Sequence, residues 1–83
     1  MAQVIVYSKS FCPYCDRAKK LLKNKGAAFE EINLDDKPDE MDALKKRTGQ
    51  MTVPMIFINN KLIGGFSELS ALEAKNELDS LLK

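Results

Sequence analysis

The sequence predicts an α/β sandwich built on one mixed sheet, with the element order β-α-β-α-β-β-α. Three features of the 83 residues point there. A β-branched and aromatic run, Val4-Ile5-Val6-Tyr7, precedes a helical pattern and then a second strand-like segment, which makes a parallel pair joined by a right-handed crossover. Late in the chain two apolar runs are separated only by Asn59-Asn60, the spacing of an antiparallel hairpin. Finally, the chain has only two cysteines and no histidine, so its stability comes mainly from buried aliphatic side chains rather than cross-links or metals.

The first strand covers Gln3 to Ser8. Pro13 suits the first turn of a helix, where its missing N–H costs nothing. Cys15, Ala18 and Leu22 then recur at helical spacing, with Leu21 beside them and Lys19, Lys20 and Lys23 facing outward. Asn24-Lys25-Gly26 stops that helix. Phe29 to Leu34 alternates apolar and polar positions and reads as the second strand. Asp35-Asp36-Lys37-Pro38 opens the second helix, with acids set against the positive end of its dipole. Met41, Leu44 and Thr48 share one face of it, and Gly49 ends it. Val53-Pro54-Met55-Ile56-Phe57-Ile58 starts the third strand, Lys61-Leu62-Ile63 forms the fourth, and Gly64-Gly65 breaks it. Ser67 is expected to cap one last helix with Ala71, Ala74, Leu78 and Leu81 as its apolar stripe. No repeat or linker interrupts the chain, whose length fits one domain.

Thirteen basic and twelve acidic residues leave a formal charge of +1. That balance argues against a nucleic-acid or membrane-surface partner, either of which calls for a basic excess. Met1-Ala2-Gln3 runs straight into Val4-Ile5-Val6, without the basic region, long apolar stretch and cleavage site of a secretory leader. No apolar run approaches bilayer length. The chain therefore reads as cytoplasmic, where a cysteine pair serves catalysis or metal binding more often than structure.

The pair lies in Cys12-Pro13-Tyr14-Cys15, between the first strand and the first helix. Unpaired N–H groups and the dipole at a helix start favour an anion, and a thiolate at Cys12 is that anion. Lys9 adds positive charge if the loop folds back. Cys15, one turn inward on the apolar side, suits a less exposed, less acidic thiol that resolves a mixed disulfide on Cys12. Three rival readings are weaker. A zinc site needs four ligands and the motif supplies two. A structural disulfide over so short a loop contributes only about 2 kcal/mol. Inert burial would suit Cys15 but not Cys12, which sits in a loop between Phe11 and Pro13. A redox pair is the reading that the context favours.

Two further segments carry alternatives. Pro54 in Thr52-Val53-Pro54 is most simply an ordinary strand-start proline. A cis bond there would instead leave the preceding backbone N–H and C=O free to pair with a peptide-like partner in strand fashion. Gly64-Gly65 before Phe66-Ser67-Glu68 is a tight turn into a helix, and such a helix start could also receive a carboxylate. Lys45-Lys46-Arg47 reads as a solvated helix face with at most a secondary role in attracting an anion.

Together, Lys9, Cys12-Pro13-Tyr14-Cys15, Thr52-Val53-Pro54 and Gly64-Gly65 closely resemble the dithiol glutaredoxins, especially the short bacterial ones. The match in element order and motif spacing spans nearly the whole chain, so residues 1–83 are expected to form a single glutaredoxin domain. The resemblance implies a thioredoxin-like fold, a four-stranded mixed sheet with helices on both faces. It implies a monomer with no tightly bound cofactor and with glutathione as co-substrate, reducing protein–glutathione mixed disulfides and protein disulfides. By the same resemblance Cys12 attacks and Cys15 resolves. Lys9 and Tyr14 flank the glutathione, Lys9 near its glycine carboxylate, and the Val53 backbone before a cis-Pro54 pairs with its cysteinyl part. Thr52 lines the groove, and Gly65-Phe66-Ser67-Glu68 receives the γ-glutamyl end.

The chain departs from the family pattern at Phe11, where Thr or Ser is common before the first cysteine. It departs again at Met51, where a polar residue is common, and at Phe66-Ser67-Glu68, where the bulk and the position of the acid differ. Two rival functions remain in view. A thioredoxin-like carrier recharged by a flavoprotein reductase is disfavoured because Trp-Cys-Gly-Pro-Cys is absent and the chain has no tryptophan. A glutathione-ligated iron–sulfur carrier is disfavoured by Pro13 and by the available Cys15.

Overall fold

Alternation along the first strand, β1 (Val4–Ser8), divides the core in two. Side chains of successive strand residues point to opposite faces. Val4 and Val6 join Ile56, Ile58, Ala18, Leu22, Leu69 and Leu78 on one face, and Ile5 and Tyr7 pack with Leu34, Met41, Leu44, Met55 and Phe57 on the other. The computed structural model describes residues 2–82, and its further elements follow this division. They are α1 (Pro13–Asn24), β2 (Glu30–Asn33), α2 (Pro38–Thr48), β3 (Met55–Ile58), β4 (Lys61–Gly64), α3 (Phe66–Ala74) and α4 (Leu78–Leu82). Helices α1, α3 and α4 cover the first face and α2 the second.

The sheet order is β2-β1-β3-β4. β1 is parallel to β2 and antiparallel to β3, and β3 is antiparallel to β4. This is the thioredoxin-like α/β fold. The central strand β3 is buried along its whole length, whereas edge strand β2 is largely exposed. Asn59 and Asn60 both have positive φ, at 52° and 67°, as a two-residue turn matched to strand twist requires. Arg47, in the last turn of α2, lies over the Phe57 ring at 5.2 Å, and the three cations of that turn suit the negative end of the helix.

The C-terminal region corrects the expected single helix. α3 ends at Ala74, and Asn76 takes a left-handed φ of 60° before α4 begins. Asparagine tolerates that conformation and terminates helices there. Glu77 N donates to Leu72 O at 2.9 Å and Asn76 N to Glu73 O at 3.0 Å, so the break is closed by backbone bonds. The expected stripe is corrected with it: Leu69 and Leu78 are buried, but Ala71, Ala74 and Leu81 face outward. Lys25 then ties the pieces together, bonding Glu73 at 2.9 Å and Asp79 at 2.8 Å. The cap is also displaced, because α3 starts from Gly65 rather than Ser67. Glu68 Oε1 accepts the Gly65 N–H at 2.7 Å, which draws the chain into helical geometry two residues earlier.

Candidate active site

Cys12 is itself the N-cap of α1, with extended backbone angles and Pro13 in the first turn. Its Sγ accepts the Cys15 N–H at 3.2 Å, satisfying one of the donors that a helix start leaves without an intrahelical partner. The same sulfur lies 4.0 Å from the Val53 carbonyl oxygen, contributed from 41 residues away. Cys12 is partly exposed and Cys15 fully buried, and both are free thiols.

Their surroundings differ accordingly. Burial first, then the hydrogen bond to the Cys12 sulfur, push the Cys15 thiol up to about 12. The Lys9 backbone amide and the charge of Lys19 act in the opposite sense. Lys19 is held one turn beyond Cys15 by Glu31, at 2.8 Å. The same carboxylate oxygen accepts a 2.7 Å bond from the hydroxyl of Ser8, which is fully buried. Those two partners, Lys19 foremost, hold the Glu31 carboxyl below its ordinary range. Glu31 in turn raises Lys19.

The loop before β3 forms the second wall. Here the ordinary strand-start reading of Pro54 is corrected: the Val53–Pro54 peptide bond is cis, and β3 begins only at Met55. Gln50, a residue the sequence reading did not place in the site, spans this loop. Its Nε2 donates to Thr52 O at 2.8 Å and to Pro54 O at 3.0 Å. The available signal was a side-chain amide two residues ahead of Thr52, where carbonyls outside the ladder need donors.

A cleft of about 450 Å³ runs between this loop and the start of α3. Tyr14 enters it from α1; Gln50, Thr52, Val53 and Pro54 from the loop; Gly65, Phe66, Ser67 and Glu68 from the turn into α3. The Tyr14 and Phe66 rings stand 6.3 Å apart, and Arg17 lies over Tyr14 at 5.2 Å. Cys12 does not itself line the cleft, but its sulfur lies beside the carbonyl of Val53, which does. Lys9 is exposed, and its side chain is not part of the cleft lining. Glu68 is already engaged with Gly65, and Gly65 has no side chain to return a second bond, so the α3 start keeps further N–H groups without a side-chain cap.

Two features lie outside the cleft. Phe11 is 102% exposed with φ 58°, and Met51 is 62% exposed. A left-handed backbone at a bulky residue costs roughly 1–2 kcal/mol.

No group of three or more His, Cys, Asp or Glu among the described residues could hold a metal ion. No helix among them is long and apolar enough to cross a membrane.

A thioredoxin-like sheet with a free Cys-x-x-Cys at the start of a helix defines a class, the small thiol–disulfide oxidoreductases. The glutaredoxin family profile matches residues 4–63, and glutaredoxin 3 of Escherichia coli strain K12 is 48% identical over 83 residues, covering 100% of both chains. The chain belongs to the glutaredoxin family. Among solved structures, the solution structure of glutaredoxin from Brucella melitensis is similar at a TM-score of 0.90 and 47% identity, covering 100% of this chain and 90% of that one. The crystal structure of a buckwheat glutaredoxin–glutathione complex is similar at a TM-score of 0.91 and 38% identity, covering 98% of this chain and 76% of that one.

Proposed function

We propose that this protein is a glutathione-dependent reductase of protein–glutathione mixed disulfides and of protein disulfides. The observation that carries the reading is the placement of the Cys12 sulfur against the Val53 carbonyl, beside a cleft that ends on a second helix start. Glutathione has a peptide backbone and two carboxylates, which are the groups such a cleft can satisfy. The Val53 backbone serves the cysteinyl part and the N–H groups at Gly65-Phe66-Ser67-Glu68 the γ-glutamyl carboxylate, while Lys9, exposed outside the cleft lining, serves the glycine carboxylate from solvent. Tyr14, Thr52 and Pro54 shape the walls. A structurally similar protein, the buckwheat glutaredoxin, is known in complex with glutathione.

The chemistry follows from the two thiol environments. The Cys12 thiolate attacks the glutathionyl sulfur of a mixed disulfide. The old S–S bond breaks, and the client departs as a thiolate that takes up a proton. The thiolate of a second glutathione then attacks the glutathionyl sulfur bound to Cys12, expelling the Cys12 thiolate and forming oxidised glutathione. With a protein disulfide, Cys12 is joined to the client, and Cys15 gives up its proton and attacks the Cys12 sulfur. The client leaves reduced, a Cys12–Cys15 disulfide forms, and two glutathiones reduce it. Part of what raises Cys15 comes from the Cys12 sulfur itself. Once that sulfur is bonded to a client, this part is removed and Cys15 ionises more readily, so the resolver is released when it is needed. A cytoplasmic monomer fits this work, because a reducing glutathione pool is what recharges it.

The test is a glutathione-coupled assay on three proteins. Cys12→Ser should lose both activities. Cys15→Ser should keep mixed-disulfide turnover while protein disulfide reduction falls by about 100-fold. Equal loss of both activities in Cys15→Ser would sink the division of roles.

A further inference from the structure

Phe11 and Met51 are the two most exposed large apolar side chains of the described residues. Each adjoins the reacting centre along the chain. Phe11 directly precedes Cys12, and Met51 precedes Thr52-Val53, whose carbonyl at Val53 lies against the Cys12 sulfur. Neither lines the cleft, so a small co-substrate seated there leaves both in water. Phe11 moreover keeps a left-handed backbone that disfavours bulky side chains, while its ring gains no burial within the chain. Large apolar groups presented this way mark a surface that a partner covers.

We infer that Phe11 and Met51 form an apolar rim that selects polypeptide clients carrying large apolar residues beside the cysteine to be reduced. This rests on the proposed disulfide-reductase function. The occupant follows from continuity with the site: a client disulfide, mixed or internal, that presents a sulfur to Cys12 brings the client's neighbouring residues toward the loop tip at Phe11 and the strand approach at Met51. Cys12 is only partly exposed, so the client segment must lie close and extended. Its apolar side chains then bury apolar area against the two residues, whereas polar ones bury less and lose hydration of their own. The rim thus discriminates among protein clients and is indifferent to the small mixed disulfide of glutathione and 2-mercaptoethanol.

The test compares wild type with the double variant Phe11→Asn/Met51→Ser, in which asparagine tolerates the left-handed backbone. Substrates are two glutathionylated peptides, one with Leu and Phe flanking the cysteine and one with Ser and Gln, and the small mixed disulfide. In wild type the apolar peptide should have a kcat/KM about tenfold above the polar one. The double variant should bring the two peptides within about twofold of each other and leave the small substrate within about twofold of wild type. Equal kcat/KM for both peptides in wild type overturns the inference while leaving the reductase reading intact. A loss shared by all three substrates overturns it too, since the two residues would then act on the site itself. A wild type that turns over none of the three overturns the reductase reading first, and the inference with it. Sedimentation of the wild type at rising concentration covers the remaining occupant: a dimer that dissolves in the double variant would assign the rim to a second copy of the chain.

Discussion

Two helix starts face the cleft, and each meets the same physical demand differently. At α1 one of the donors left over by helix geometry is met by a sulfur, so the capping atom is also the reactive one. At α3 the cap comes from within the helix, where the Glu68 carboxylate holds Gly65 N–H at 2.7 Å and Gly65 supplies no side chain of its own. The first start therefore commits its donor to a chemical group that the protein owns. The second fixes its own shape and leaves its remaining N–H groups without a side-chain cap, where the proposed function seats a carboxylate. One device provides a reactive atom at one start and uncapped donors at the other, and the difference lies in which residue does the capping.

The contrast can be broken first at the α1 end. Cys15 has its folded-state value raised to about 12 from a reference of 9.0. A raised value means that the neutral thiol is favoured on folding. Its contribution to stability is complete below pH 9 and is lost as the pH rises from there toward 12. The loss amounts to a few kcal/mol at full extent, by the equivalence of pKa and free energy. Denaturant midpoints of wild type should therefore fall more steeply over this window than those of Cys15→Ala. Parallel curves for the two proteins would show that burial does not hold that thiol neutral.

A smaller effect is expected at the α3 end from Gly64→Ala. An added Cβ would meet Glu68 Oε1 at 2.6 Å and Glu68 Cγ at 2.8 Å, on a backbone with φ of 123° that other residues rarely adopt. A destabilisation of about 1–3 kcal/mol follows from the backbone alone, and displacement of Glu68 should raise the KM for glutathione as well. Thermal unfolding and glutathione-dependent kinetics on the same sample check both halves.

Smallest is Glu68→Ala, which removes the cap without crowding the turn. About 1 kcal/mol of stability should go, with Cys12 reactivity toward iodoacetamide unchanged. A change in Cys12 reactivity would mean that the two helix starts are coupled rather than independent.

Much of this was legible because it is local. Proline at the first turn of α1, apolar residues at Cys15, Ala18 and Leu22 at helical spacing, and the β-branched and aromatic run Val4-Ile5-Val6-Tyr7 are each signals that the chain carries within a few residues. The C-terminal helix was misread for the complementary reason. Ala71, Ala74, Leu78 and Leu81 keep helical spacing, but Asn76 stops the helix between them, and its left-handed backbone outweighs the pattern. Ser67 looked like a cap by residue type, yet a carboxylate at position 68 reached back to Gly65 and moved the start. Gln50 went unplaced because a lone amide in a loop has many uses, and only the positions of the Thr52 and Pro54 carbonyls reveal this one.

The sequence by itself determined the order of the four strands and of the helices up to α3, and it set a Cys-x-x-Cys at a helix start, since both follow from short-range spacing and turn chemistry. Tertiary structure alone decided that the Val53 carbonyl meets the Cys12 sulfur across 41 residues. It also decided that Tyr14, Gln50 and Phe66, from three separate segments, share one cleft. Periodicity tells which side of an element is buried, but not which distant loop closes over it. That is settled when the two halves of the core pack on opposite faces of β1 and β3 and bring the ends of those elements together.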